Sequence, residues 1–136
     1  MARIYGQEPE RRNKMNTEYN GLLLAYIGDG VLELLVREKL ISSGETSTGK
    51  LSAMAQKIVC APAQSEMVEK LLPMLTEEEE AAYKLGRNHK VGGKPKKATA
   101  VEYHRATGME AVFGYLHMKG RTERIRELFY ALYNNI

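Results

Sequence analysis

Residues 22–40 read LLLAYIGDGVLELLVREKL, and this stretch decides the fold. Leu22, Leu23, Ile27, Val31, Leu34 and Leu35 recur at threes and fours, and no proline interrupts them. That is the period of a helix with one face on a core. The spacing predicts a helix over 18–41, stopped by Ser42-Ser43-Gly44. Inside it sits a local violation, Gly28-Asp29-Gly30. A helix-interior Gly costs about 1 kcal/mol relative to Ala, and Asp is a poor interior residue. Close backbone packing would account for the glycines. It does not account for a carboxylate between Ile27 and Val31, and such a violation points to function.

Outward from this segment the chain continues in helices. A loop, GETSTGK, leads to a helix over 50–59. Pro62 suits the first turn of a third helix reaching residue 72. Thr76 and Glu79 are spaced as a capping box, with acids in the first turn where the helix dipole favours them, and this fourth helix runs to 86. Residues 88–98, NHKVGGKPKKA, form the one clear loop. Thr99 and Glu102 make a second capping box, opening a helix through Tyr103, Val112, Tyr115 and Leu116 to 119. Gly120 breaks it, and a last helix spans 122–133. No period-two strand pattern occurs. The expectation is a single all-α domain over residues 1–136, with at least six helices and a frayed polar segment at 1–16.

Composition sets the outer bounds. The chain has 136 residues, 43% hydrophobic and 27% charged, enough apolar material for a core and too much for wholesale disorder. The longest uncharged apolar run, Leu22–Ile27, is far too short to span a bilayer, so no membrane association is expected. The opening MARIYGQEPERR carries no apolar run of the kind that makes a secretory signal. The single cysteine, Cys60, excludes an intramolecular disulfide and a cysteine-cluster zinc site, and with the seven Met suits a reducing cytoplasm. Cys60 stands in an apolar context and reads as a small buried core residue. Net charge is only +3, but seven bases fall between Lys84 and Arg105 against one acid, Glu102. Such a block is either a polyanion site or a solvated loop.

Few residues have the pattern of a chemical site. GDG and VGGKPKK lack the spacing of a nucleotide-phosphate loop, and neither GxSxG nor HExxH occurs. His89, His104 and His117 are scattered and read as surface or boundary residues. Asp29 is the exception. Glu33 follows it by one turn, so the two acids share a face suited to a hard divalent cation. The plainer alternative pairs Glu33 with Arg37 four residues on. Glu110, in ATGMEAVFGYL, is a second mid-helix acid in an apolar run, with Tyr103, Thr107 and Gly114 on its face. If the two helices cross, Asp29 and Glu110 could hold one Mg²⁺ beside the basic loop. Carboxylates, a hard metal and nearby bases are what phosphodiester hydrolysis requires.

These residues resemble a known family. LAYIGDGVLELLVREKL resembles the signature helix of the ribonuclease III endonuclease domain. GRNHK, a short basic loop and YHRATGMEAVFGYL are similar to one subgroup, Mini-ribonuclease III, which has a catalytic domain and no double-stranded-RNA-binding domain. The likeness runs in order from about Tyr19 to the C-terminus. The resemblance implies an all-α homodimer whose two Mg²⁺-dependent sites cut both strands of duplex RNA, leaving 5′-phosphate and 3′-hydroxyl ends. It implies a role in maturing the large-subunit (23S) ribosomal RNA precursor. Asp29 matches the signature aspartate and Glu110 the metal-binding glutamate, both catalytic, with Glu33 a further candidate ligand. Two other acids of full-length ribonuclease III are replaced here, by Ala25 and Thr107. Fewer fixed carboxylates leave more coordination to water and substrate. RNA duplexes are recognised through shape, phosphates and 2′-hydroxyls. That gives Arg87, Asn88, Lys90, Lys94, Lys96 and Lys97 the part of RNA-binding residues. The rival expectations are an inactive relative that binds RNA or the ribosome, and a plain helical interaction module.

Overall fold

Asn20 starts the first helix: its side-chain oxygen accepts the Leu23 backbone N–H at 2.9 Å, satisfying one of the donors a helix start leaves open. The structure, a computed structural model, describes residues 20–89 and 98–136. Helix α1 is Gly21–Ile41, α2 Thr48–Val59 and α3 Ala61–Leu71. A 3₁₀ turn, Leu72–Met74, leads to α4, Glu77–Arg87; α5 is Ala100–Met118 and α6 Thr122–Tyr133. Among the described residues there is no strand, and no helix is long and apolar enough to cross a membrane.

Both expected capping boxes form in full. The backbone N–H of Thr76 donates to Glu79 at 2.9 Å while that of Glu79 donates back to the Thr76 hydroxyl at 3.3 Å. Thr99 and Glu102 repeat the exchange at 2.9 and 3.1 Å. Helix α2 begins two residues before the expected position, because Ser47 accepts from the Lys50 N–H and so caps the helix at Thr48. Cys60 is a correction. It is partly exposed, at the junction where α2 ends and α3 begins, and its thiol donates to the Lys57 carbonyl.

Helix α5 is the axis of the fold. Between Ala106 and Leu116 all its residues but Glu110 are buried, so it has core on every side. α1 packs on it most extensively, and α4, α3 and α6 cover the rest. Phe113, Leu116, Leu128, Phe129, Leu71 and Val68 fill the centre. A buried ion pair fastens α6 to the start of α4. Arg124 grips both oxygens of Glu79, at 2.8 and 2.9 Å, and donates to the Met74 carbonyl at 2.7 Å. Burial raises the pKa of Glu79, which is only 2% exposed, but the bonds from Arg124 and Thr76 outweigh it and hold the carboxyl below its ordinary value.

The buried face of α1 differs from the expected one. It is Gly21, Leu24, Ala25, Gly28, Leu32, Val36 and Leu40. Leu22, Leu23, Ile27 and Leu34 are exposed. The helix carries apolar residues at helical spacing on two faces, and α5 takes the one whose small residues permit close approach.

Candidate active site

Two glycines decide how α1 meets α5. A Cβ on Gly28 would overlap the carbonyl oxygen of Glu110, and a Cβ on Gly114 would overlap the carbonyl oxygen of Leu24. The helices therefore touch backbone to backbone, each through a glycine on the other's carbonyl. Gly30 has nothing within 4 Å of its would-be Cβ and takes no part in this contact. Asp29 follows the buried Gly28 and is itself exposed, at the edge of the crossing. Glu110 is partly buried on the facing helix.

The two carboxyl groups come within hydrogen-bonding reach of each other. The Glu110 carboxyl is pushed up to about 8, chiefly by burial, then by the negative charge of Asp29 and by the hydrogen bond the two share. Tyr133, buried on α6, is near enough to feel Glu110; burial first and that charge second raise its pKa, so its phenol stays protonated.

Glu110 borders two adjoining clefts. One, of about 480 Å³, lies between the α2–α3 junction and α5 and includes Cys60, Gln64, Ala98, Tyr103 and Thr107. The other, of about 510 Å³, lies between α1 and α5 and includes Ala25, Tyr26, Asp29, Tyr103 and Thr107. Ala25 and Thr107, where the resemblance leads one to look for two further acids, thus line the same space as Asp29 and Glu110. The Thr107 hydroxyl donates back to the Tyr103 carbonyl at 2.8 Å.

Gln64 escaped the sequence reading. It is 1% exposed and faces Glu110 closely enough to favour the ionised carboxylate, yet neither amide atom reaches full hydrogen-bond geometry with any partner. Nothing in APAQSEM marks it, because which side of α3 turns toward Glu110 is a tertiary fact.

Glu33 is committed elsewhere. Its carboxylate pairs with Arg37 at 3.1 Å, the plainer alternative, and it lines a separate cleft between α1 and α2. Arg87 Nε donates to the Asn88 side-chain oxygen at 3.0 Å, and its guanidinium lies 5.7 Å from the Tyr83 ring centre. The preceding residue, Gly86, packs on the Thr107 carbonyl, and Ala98 lines the 480 Å³ cleft. The described residues flanking the basic segment thus both pack on α5, Gly86 against Thr107 and Ala98 in the cleft that Glu110 borders. Lys90, Lys94, Lys96 and Lys97 lie outside the described residues.

The donor set suits a hard divalent cation: two carboxylates converge at an open cleft, with neutral oxygens nearby. Among the described residues no group of three or more His, Cys, Asp or Glu gathers. An ion here would have two anionic protein ligands and otherwise water, neutral oxygens or substrate.

The Ribonuclease III domain matches residues 22–121 of the chain. Mini-ribonuclease 3 of Enterococcus faecalis is 44% identical over 113 residues, covering 82% of this chain and 86% of the relative. Mini-ribonuclease 3 of Symbiobacterium thermophilum is 42% identical over 110 residues, covering 81% and 85%. A crystal structure of a protein from Fusobacterium nucleatum superimposes with a TM-score of 0.79 at 28% identity, over 87% of this chain and 96% of that one.

Proposed function

The chain belongs to the ribonuclease III family, with the Mini-ribonuclease 3 proteins among its relatives, and from that premise we propose that it is a homodimeric, Mg²⁺-dependent endonuclease of double-stranded RNA whose substrate is the large-subunit (23S) ribosomal RNA precursor. Endoribonuclease activity, action on double-stranded RNA and dependence on a divalent metal are the common ground of the family. The observation that supports metal-dependent cleavage is the convergence of Asp29 and Glu110 at one cleft, beside a helix crossing made backbone to backbone at Gly28 and Gly114.

In this reading Asp29 and Glu110 hold the Mg²⁺. When bound, the ion would supply Lewis acidity, lowering the pKa of water and offsetting charge on the phosphoryl oxygens. Glu110 must give up its proton to serve, which the Gln64 amide favours and burial opposes. Arg87 and the lysines at 90, 94, 96 and 97 neutralise phosphates of the duplex, and the uncharged Asn88 amide adds a hydrogen-bond donor. Exposed Leu22, Leu23, Tyr26, Ile27 and Leu34 give α1 an apolar face beside Asp29, which suits contact with a second copy. Two copies would bring two sites to opposite strands of one duplex, leaving 5′-phosphate and 3′-hydroxyl ends.

The test is cleavage of a long RNA duplex in Mg²⁺ and in EDTA, by the native chain and by Asp29→Asn and Glu110→Gln. Cutting is expected from the native chain in Mg²⁺ only, with both variants folded and at background. Normal-rate cleavage by either variant would refute the assignment. The replacement of two acids of full-length ribonuclease III by Ala25 and Thr107 leaves one rival standing, an RNA-binding relative without activity. It is the reading to adopt if the native chain binds duplex and leaves it intact.

A further inference from the structure

An unpaired buried amide costs about 1–3 kcal/mol, so a native fold keeps one where something else completes it. Gln64 is such a group: 1% exposed and turned toward Glu110, with neither its oxygen nor its nitrogen in full hydrogen-bond geometry with any partner. It lines the 480 Å³ cleft together with Thr107 and Glu110. The chemistry of that cleft is short of polar atoms. The Thr107 hydroxyl donates its proton to the Tyr103 carbonyl, the Cys60 thiol donates to the Lys57 carbonyl, and among the described residues no group of three or more acids, histidines or cysteines gathers to hold a metal. Mg²⁺ favours six oxygens and keeps several waters, which need neighbouring groups to orient them. An amide offers both halves of that service, a donor for a carboxylate and an acceptor for water.

We propose that Gln64 is a positioning residue of the metal site, its NH₂ group donating to the Glu110 carboxylate and its carbonyl oxygen accepting from the hydration shell of the divalent ion. It supplies a neutral oxygen to a site with only two protein carboxylates. The proposal rests on the reading of Asp29 and Glu110 as ligands.

The test uses Mn²⁺ as the probe, titrated into RNA-free protein and followed by the electron paramagnetic resonance of the free ion. Melting curves are taken in EDTA alongside. Gln64→Leu keeps the size and removes the amide. It should melt at or above the native temperature in EDTA, yet bind Mn²⁺ about 10–100-fold more weakly. Gln64→Glu should bind Mn²⁺ more tightly than the native chain. Native Mn²⁺ affinity in Gln64→Leu, with or without a lower melting temperature, overturns the proposal. Should Gln64→Leu fail to fold, Gln64→Glu decides, and unchanged or weaker binding overturns it. Asp29→Asn separates the two levels. If it binds Mn²⁺ like the native chain, or the native chain does not bind, the underlying ligand assignment falls, and this proposal with it. If it loses binding while Gln64→Leu keeps it, the role of Gln64 alone falls.

Discussion

Replacing Gly28 with Ala places a methyl group on the carbonyl oxygen of Glu110 and close to the Gly114 nitrogen. Both are main-chain atoms of α5, so no side chain can swing aside. The helices must part by roughly 1–2 Å to restore ordinary contact distances. Overpacking of this kind costs about 1–3 kcal/mol, and a backbone clash belongs at the upper end. Better helix propensity returns about 1 kcal/mol. A net loss of about 2 kcal/mol is expected, read as a lower urea midpoint by circular dichroism. The same parting moves Asp29 away from Glu110. A misplacement of about 1 Å can cost about a hundredfold in rate, so single-turnover cleavage of duplex RNA should fall by that order while the variant is still folded. Gly30→Ala, on the other side of Asp29, meets nothing within 4 Å. It should gain up to about 1 kcal/mol and cleave normally. Native stability and cleavage in Gly28→Ala, or equal damage from Gly30→Ala, would refute the crossing as the device that sets the site.

Acidity should show in stability. With its carboxyl at about 8 against an ordinary 4.5, folded Glu110 keeps a proton that the unfolded chain has released between those values. Ion-free stability should therefore fall as pH rises from about 5 to 8, by at most about 1.4 kcal/mol per pH unit, and Glu110→Gln should flatten the fall; a native profile already flat over that window contradicts the burial of this carboxyl. Neutralising Lys94, Lys96 and Lys97 together should weaken duplex binding and reduce its salt slope by roughly 2–3, and an unchanged slope would locate the phosphate contacts elsewhere. Leu34→Glu, at a position 61% exposed, should convert a dimer to a monomer in sedimentation; a variant that stays dimeric removes α1 from the interface.

Local signals were legible in the sequence and tertiary choices were not. The capping boxes at Thr76 and Thr99 and the last helix, 122–133, could be read because their causes lie within four residues. Asp29 and Glu110 stood out because a carboxylate in an apolar helical run breaks a local rule. The buried face of α1 could not be read. Two of its faces carry apolar residues at the same period, and only the partner helix selects between them. For the same reason Gly28 and Gly30 look alike in the sequence, though one is at a backbone contact and the other faces open space. Gln64 breaks no rule in α3, and only the packing of α3 on α5 reveals a buried amide turned toward Glu110 without full hydrogen-bond geometry. Cys60, read as core, misled because its apolar neighbours belong to two helix ends rather than one buried face.

A contact made main chain to main chain has no rotamers. The interval between Asp29 and Glu110 is gauged by two peptide units pressed together, not by the shapes of the leucines and phenylalanines around them. Ordinary drift in the hydrophobic interior can then erode thermal tolerance without changing that interval, and a weakened descendant would keep the two carboxyls at the same separation up to the temperature at which it melts.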